Sequence, residues 1–451
     1  MTQLPFAALL LTVIYISSAF AAKPEAVSES ESGIAIVGAG LIDGTGTAVV
    51  ADSIILIQGD RITAVGSRDR VDIPDSATIV DATGKFVMPG LIDLHNHYGG
   101  GRAELERLFS LQLDFGVTTA RSLGADGAEN LQVIAEAKAG KIEAPRLYTA
   151  GTGFSHKDGM PPGAAIQRPT SAADARRMVQ ELVAAEVDLI KMWVDPTLDG
   201  LLIWSFDWNQ GRAPIPKISA EIRTALVAEA TKHGIPAVAH IYTEADVRQL
   251  NSVGVRDFVH TVRMAPIDAD FVQWAEQQML SFAPALSKAQ DSWLMAEHPE
   301  LLDDPALHKA WGKERVQRMR LATTRQLMLS NPQGAQLREV YGRMQRFVSQ
   351  VHAGGVTIAV GSDSGAGNVP FGWGTHHEMK LLVEAGLTPA AAVKAGTANG
   401  AWVLEGSDAQ FGTIEAGKLA DLLVLSRDPH ANIDNTRSIE RVMQKGRWLE
   451  R

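Results

Sequence analysis

Cysteine is absent from this chain of 451 residues. The absence excludes disulfide bonds, thiolate metal sites and a cysteine nucleophile, so any catalysis must rest on other side chains. Basic residues are also few, with 42 Lys and Arg against 52 Asp and Glu and a formal net charge of −10. Because nucleic-acid binding requires clustered basic side chains that neutralise phosphates, the charge balance argues against a nucleic-acid partner.

Long apolar runs are missing everywhere except at the N-terminus. Residues 4–20 carry no charged side chain, and Ala19, Phe20 and Ala21 form the small-x-small pattern that precedes a cleavage site. We therefore predict a signal peptide over residues 1–21 and export of the mature chain to the periplasm or the cell exterior. The alternative is an uncleaved N-terminal anchor. No later stretch of the sequence is apolar enough to predict a membrane span in the mature protein.

Both ends of the remaining chain have the pattern of short strands. Over residues 22–88, apolar runs alternate with tight turns such as Asp43-Gly44 and Gly59-Asp60, and residues 408–451 repeat the pattern. Short strands joined by Asp/Gly turns are typical of a small β-sheet or sandwich. Because chain ends often lie close together, we predict that the two segments form one small β-sandwich domain.

The central segment, residues 89–407, alternates short apolar strands with helical patterns. The eight strand patterns are residues 91–95, 117–121, 146–150, 189–194, 237–241, 258–262, 280–283 and 357–361. Eight alternating units indicate an α/β fold, built as a closed (β/α)8 TIM-like barrel. The seventh connection is long, and we expect a helical insertion over residues 287–350, across the mouth of the barrel.

Side chains that can bind metal stand at the carboxyl ends of these strands, where (β/α)8 barrels carry their active sites. His95 and His97 end the first strand two residues apart, so both imidazoles point to the same side. His240 ends the fifth strand, His260 ends the sixth, and Asp363 follows the eighth. A single histidine at a strand end is more often structural. Five candidate ligands together favour a divalent metal, with zinc the expected ion and manganese, iron or cobalt the alternatives.

Lys191 stands inside the apolar strand 189–194. Burying a charged ammonium is costly, so we expect a neutral amine at this position. A neutral amine can react with carbon dioxide to form a carbamate, and the carbamate can bridge two cations. The alternatives are a lysine paired with a buried acid or one that reaches the rim of the barrel. The other candidate ligands favour the carbamate.

Five motifs together carry a resemblance that spans nearly the whole predicted mature chain. They are LIDGTG at 41–46, VMPGLIDLHNH at 87–97, GVTT at 116–119, GSD at 361–363 and GTIEAGKLADL at 412–422. The chain resembles the amidohydrolase superfamily, specifically the imidazolonepropionase-related branch. This branch contains carbamate-bridged Xaa-Pro and Xaa-Arg dipeptidases and similar amidases. The resemblance implies a (β/α)8 barrel joined to a small β domain made from both chain ends.

Carried over by position, the resemblance implies a centre with two divalent cations. Its six ligands would be His95, His97, Lys191, His240, His260 and Asp363. The first-strand pair and Asp363 would hold one ion, the other two histidines would hold the second, and carbamylated Lys191 would lie between them. The implied activity is hydrolysis of an amide in a dipeptide or an N-acyl amino acid by a hydroxide bridging the metals. Asp363 would accept the proton of this hydroxide and return it to the leaving amine.

Three further residues are candidate substrate contacts. Tyr242 lies two residues past His240, and the resemblance implies that it contacts the substrate near the reacting carbonyl; the alternative is an ordinary packed tyrosine. Arg263, after the sixth strand, is suited either to grip a substrate carboxylate or to form a salt bridge at the rim. His156, in the loop after the third strand, matches the resemblance only loosely. We expect the His-His-Glu motif at 376–378 to cap or line a helix rather than to bind metal.

Two other functions stay open. A mononuclear cyclic-amidine hydrolase or deaminase would, by the family pattern, carry His or Glu on the fourth strand, where this chain has Lys191. A non-catalytic binding protein on the same fold would be expected to have lost metal ligands, whereas all six positions are filled here. The expected partner is a small-molecule substrate, and the resemblance further implies assembly into a homo-oligomer.

Overall fold

The computed structural model describes residues 33–159, 161, 165–194, 206–207, 211–212 and 216–450. The predicted signal peptide, residues 1–21, lies outside the described residues, so its cleavage and the export of the chain stay predictions. None of the helices in these ranges has the combination of length and apolar character that crossing a membrane would require.

Eight parallel strands in the described ranges follow the eight strand patterns of the sequence, and we number them as barrel strands in chain order. Their bounds are Leu91–Asn96, Val117–Ser122, Arg146–Thr149, Ile190–Trp193, Ala237–His240, Asp257–Val259, Ser281–Ala283 and Thr357–Ile358. The third reaches the fourth through the Asp188 N–H, which donates to Thr149 O over 2.9 Å. The eighth returns to the first, because the Leu94 N–H donates to Val360 O over 2.9 Å and Asn96 bridges Ser364. The (β/α)8 barrel is therefore closed.

Helices follow most of the barrel strands. Outside the insertion they are Arg102–Asp114, Ala128–Lys138, Ala172–Ala184, Ala220–Lys232, Glu244–Ser252, Ala269–Gln277, Trp373–Glu384, Pro389–Ala395 and Ala398–Glu405. Five of them begin at a side chain that accepts a backbone N–H of the first turn, namely Ser171, Ser219, Thr243, Asp268 and Thr388. Such caps satisfy an otherwise unpaired donor and are worth about 1 kcal/mol each. Local sequence therefore sets where these helices start.

The long seventh connection is helical, as the sequence predicts. Its helices are Leu286–Gln290, Leu294–Glu297, Pro305–Trp311, Lys313–Met319, Ala322–Leu329 and Pro332–Ala353, with a 3-10 turn at Pro299–Asp303. Phe347 of the last helix packs edge-on against Phe282 of the seventh barrel strand, with ring centroids 5.0 Å apart. The insertion is thus joined to the barrel through the apolar core.

A separate β domain is built from both ends of the described chain. Its sheet runs in the order Arg447–Trp448, Ile439–Gln444, Leu422–Leu425, Phe86–Pro89, Ile34–Leu41, Val50–Gln58 and Arg61–Ser67, with Thr78–Asp81 paired to Ile34–Leu41. The antiparallel pairing of Leu422–Leu425 with Phe86–Pro89 joins the two ends. Ile36, Ile55 and Leu422 are buried in one core. The hydrogen bonds connect all eight strands into one sheet, while the domain boundaries inferred from sequence stay predictions.

Candidate metal centre and active site

The end of the first barrel strand carries a compact group of metal-binding side chains. Nε2 of His95 and Nε2 of His97 lie 3.2 Å apart. Asp363, after the eighth strand, places Oδ1 3.4 Å from His95 Nε2 and 3.2 Å from His97 Nε2. The ligand atoms of the three residues all lie within 4.8 Å of one another. One ion in the middle of this group would contact all three.

The backbone around Asp363 is shaped to bring it next to the first strand. A Cβ at Gly361 would lie 2.8 Å from the Ala283 Cβ and 2.9 Å from the His95 Cβ, so only glycine allows this approach. Asp363 itself adopts a left-handed conformation with φ of 60°. A non-glycine residue keeps such a conformation only where its surroundings hold it, and such residues concentrate at functional sites.

Two further histidines stand beside this group. The ring centroids of His240 and His260 are 4.3 Å apart, and those of His260 and His95 are 5.1 Å apart. His260 Nε2 lies 3.9 Å from Oδ2 of Asp363, the oxygen that does not face His97. His260 also has a positive φ of 70°. Asp363 therefore faces His95 and His97 with one oxygen and His260 with the other.

Lys191 is fully buried on the fourth barrel strand. Its Nζ lies 5.5 Å from the centroid of the Trp193 ring, and Trp193 in turn stacks on His97 with centroids 6.2 Å apart. Gly153 makes room for this indole, since a Cβ at that position would lie 2.2 Å from a carbon of the ring. Sequence analysis does not single out Trp193, although its position two residues past Lys191 places both side chains on one face of the strand.

The protonation states of the cluster suit metal binding. Burial lowers the pKa of both His95 and His260 well below the ordinary value, and Lys191 contributes to the shift at His95. Burial by itself would raise the pKa of Asp363, but His95, His97 and His260 bring that pKa well below its ordinary value. Neutral imidazoles and an ionised carboxylate are the forms that coordinate cations. The nitrogen and oxygen donors therefore fit a divalent metal such as zinc.

The candidate substrate contacts Tyr242 and Arg263 lie together beside the second pair of histidines. The Tyr242 ring is 4.5 Å from the His240 ring, centroid to centroid, and the Arg263 guanidinium carbon lies 3.5 Å above the Tyr242 ring. The backbone N–H of Arg263 donates to the backbone carbonyl of Tyr242 over 3.0 Å, and this bond links the loops after the fifth and sixth strands. Arg263 Nη1 also lies 3.8 Å from the sulfur of Met344 in the insertion. Tyr242 is thus adjacent to the candidate ligands, and Arg263 is stacked on it.

The third candidate substrate contact, His156, turns toward its own loop. Its Nδ1 accepts the Asp158 N–H over 3.1 Å, and its carbonyl accepts a hydrogen bond from Arg168. The structure does not bring His156 into the compact His95, His97 and Asp363 group, and its role in substrate binding stays a prediction.

The His-His-Glu motif at 376–378 lies on the helix Trp373–Glu384. His376 bonds to Thr436 through Nδ1 and to the Phe115 carbonyl through Nε2, each over 2.9 Å. Glu378 accepts the backbone N–H groups of Leu286 and Ser287, the first residues of the insertion. The motif therefore holds the helix and the insertion in place, in agreement with the sequence expectation.

Comparison with known proteins adds a family to this geometry. Residues 86–449 match the model of the amidohydrolase family. An imidazolonepropionase from Symbiobacterium thermophilum is 25% identical over 421 residues, covering 89% of this chain and 91% of the relative. An ochratoxinase from Aspergillus niger is 23% identical over 452 residues, covering 90% of this chain and 84% of the relative.

Solved structures agree with this assignment. A candidate prolidase from Bifidobacterium longum superposes with a TM-score of 0.74 at 25% identity, covering 94% of this chain and 95% of that one. The family match extends from the β-domain strand Phe86–Pro89 through the whole barrel and back into the β domain. The protein is therefore a member of the amidohydrolase family and, as such, a hydrolytic enzyme.

Proposed function

We propose that the protein is a metal-dependent hydrolase that cleaves the amide bond of a dipeptide or an N-acyl amino acid. The observation that carries the proposal is the compact group of His95, His97 and Asp363, with His240 and His260 in ring contact beside it. The likeness to a candidate prolidase favours a dipeptide or a closely related amide as the substrate.

Six side chains would hold the metal in this proposal. His95, His97 and Asp363 would bind one ion, His240 and His260 would bind the second, and a carbamate on Lys191 would lie between them. Two bound divalent cations supply a coordinated water of lowered pKa, near ~7, and polarise the scissile carbonyl. Full burial of Lys191 supports the carbamate, because burying a charged ammonium is costly.

Asp363 is the proton carrier of the proposed reaction. Its Oδ1 faces His95 and His97, which leaves Oδ2, on the side of His260, to accept a proton from the attacking water. The neighbouring imidazoles keep the pKa of Asp363 low, so the group is an ionised carboxylate before the water attacks. From Oδ2 the proton passes to the leaving amine nitrogen, as general acid–base catalysis requires.

Tyr242 and Arg263 orient the substrate in this scheme. The phenol of Tyr242 would donate to the substrate near the reacting carbonyl, since its ring contacts His240. The guanidinium of Arg263 would pair with the substrate carboxylate, and the Tyr242 ring supports it, 3.5 Å from its central carbon. A fixed planar fork suits two parallel hydrogen bonds to a carboxylate.

Replacing Arg263 with alanine tests this contact. A charge-assisted hydrogen bond contributes about 1.5–3 kcal/mol, so we expect KM for a carboxylate substrate to rise roughly 10- to 100-fold with a smaller change in kcat. The measurement is steady-state kinetics on paired substrates that differ only in a free or an amidated carboxyl terminus. The amidated substrate should be nearly insensitive to the substitution. Equal losses on both substrates would show that Arg263 does not bind the carboxylate.

Metal analysis of the purified protein, combined with a library of dipeptides and N-acyl amino acids, tests the function as a whole. We expect about two divalent ions per chain, release of an amino acid, and loss of activity to a chelator that added zinc restores. His95→Ala should lose metal and activity together. His352→Gln, on the last helix of the insertion, is the control and should keep both. A chain that binds no metal, or activity that resists complete metal removal, would contradict the proposal.

A second candidate is a mononuclear hydrolase of cyclic amidines. It is favoured by the tight three-residue group of His95, His97 and Asp363 and by the similarity to an imidazolonepropionase. Lys191 at the fourth strand argues against it. One bound ion per chain, with turnover of a cyclic amidine and none of any amide, would establish this alternative.

A further inference from the structure

Ser362, the residue before Asp363, is held by hydrogen bonds on two sides. Its N–H donates to Asp93 Oδ1 over 3.0 Å and its hydroxyl to Asp93 Oδ2 over 2.6 Å. Its carbonyl accepts the Ser287 hydroxyl over 2.8 Å. Ser362 is fully buried, so water cannot reach its polar atoms, and these hydrogen bonds satisfy them instead. The position of Asp363 therefore depends on what fixes Asp93 and Ser287.

Asp93 joins three elements through its carboxylate. Besides Ser362, it accepts the N–H of His95 over 3.1 Å and the hydroxyl of Thr375 over 2.7 Å. The acceptor lies on the first barrel strand, two residues before the first candidate ligand, and Thr375 lies on the helix Trp373–Glu384. All four donors converge on one fully buried carboxylate. Asp93 therefore ties the strand that carries His95 to the segment that carries Asp363.

Glu378 holds Ser287, the residue whose hydroxyl donates to the Ser362 carbonyl. Its Oε1 accepts the Leu286 N–H over 2.9 Å and its Oε2 accepts the Ser287 N–H over 2.7 Å, which sets the start of the helix Leu286–Gln290. Glu378 is fully buried. It follows Thr375 by three positions, so both side chains lie on one face of their helix. One face of this helix therefore contacts both residues that hold Ser362: Thr375 donates to Asp93, and Glu378 accepts the N–H of Ser287.

We propose that Asp93 and Glu378 are positioning residues, which clamp Ser362 between them and thereby hold Asp363 in its left-handed conformation beside the candidate metal ligands. The Ser362 clamp consists of Asp93, Ser287, Ser362, Thr375 and Glu378. In this proposal Glu378, the glutamate of the His-His-Glu motif, acts on the site through Ser287 and Ser362 and does not itself bind the metal. The inference rests on the metal centre proposed above.

Variants of the helix face test the clamp. Thr375→Val keeps the shape of the side chain but removes the hydroxyl that donates to Asp93, whereas Thr375→Ser keeps that hydroxyl. Glu378→Gln replaces one acceptor oxygen by an amide nitrogen, so one of the two bonds to the insertion is lost. Asp421→Asn is the matched control, because Asp421 is a buried carboxylate next to the β-domain strand Leu422–Leu425 that accepts bonds from Arg146 and the Lys445 N–H.

Two readouts separate positioning from general stability. The first is the rate at which a chelator removes zinc from the reconstituted protein, and the second is hydrogen exchange at the Ser362 amide in the metal-free protein. We expect Thr375→Val and Glu378→Gln to release zinc about 10- to 100-fold faster than the wild type, as loss of supporting hydrogen bonds does at other metal sites. Both variants should also speed exchange at Ser362. Thr375→Ser should restore both rates, and Asp421→Asn should lower Tm while changing neither.

The outcomes distinguish failure of the Ser362 clamp from failure of the metal centre. Zinc release no faster than in the Asp421→Asn control, or unchanged exchange at Ser362, overturns the clamp while leaving the metal centre intact. A wild-type chain that binds no divalent metal overturns the metal centre, and exchange at Ser362 then decides by itself whether the clamp exists.

Discussion

Replacing Lys191 with alanine is expected to remove one or both metal ions and to abolish nearly all activity. The side chain is fully buried on the fourth barrel strand, and its Nζ lies 5.5 Å from the ring centroid of Trp193, which stacks on His97. Without the carbamate, the two proposed ions would have no bridging protein ligand, and their mutual repulsion would be poorly offset. Metal content per chain and kcat, both measured after reconstitution with excess zinc, check this expectation.

Two controls identify the carbamate as the cause. Lys191→Met fills most of the same space without an amine. It should resemble Lys191→Ala if the amine is required, and the wild type if only the volume of the side chain is required. Short carboxylic acids should partly restore metal binding to Lys191→Ala, because they can occupy the place of the carbamate. Reconstitution of the wild type should depend on bicarbonate, and that of Lys191→Ala should not. Full activity in either variant would rule out a bridging role for Lys191.

Asp363→Asn is expected to lower kcat by about 10²- to 10⁴-fold, the usual contribution of a positioned proton acceptor. The amide can still contact a metal ion through its oxygen but cannot take up the proton that Oδ2 receives in the wild type. We expect KM to change little, since Asp363 faces the histidines rather than the residues proposed to hold the substrate. Steady-state kinetics at saturating zinc measure the effect.

Metal content decides how this result is interpreted. An Asp363→Asn chain that retains its zinc and loses turnover has lost proton transfer. A chain that loses its zinc as well shows that the carboxylate charge is needed for binding, and a pre-steady-state measurement at excess zinc then isolates the chemical step. Near-normal turnover with full zinc would exclude Asp363 as the proton acceptor.

The order of elements and most candidate ligands follow from local sequence. The alternation of apolar strands with capped helices predicts the barrel, because strand burial and helix capping are short-range properties. The spacing of His95 and His97 predicts that both face one side, since alternate residues of a strand do so. Lys191 stands out because it interrupts an apolar run. Each of these inferences needs only a few neighbouring residues.

The contacts that complete the site join residues distant in the sequence. Asp93 meets Ser362 and Thr375, which follow it by more than 260 positions, only because the eighth barrel strand returns to the first. The contact of Arg263 with Met344 depends on how the last helix of the insertion, Pro332–Ala353, packs against the barrel. No local pattern encodes such partners, because closure of the barrel decides which strand ends become neighbours.

The sequence by itself therefore determined the kinds of side chain available to the site and the strand ends at which they stand. The tertiary structure decided which of them meet, which oxygen of Asp363 faces which histidines, and that Glu378 bonds to the first residues of the insertion. The physical reason is range: strand alternation and helix capping act over a few residues, whereas a metal site needs atoms within about 5 Å whose positions are set by the packing of the whole barrel.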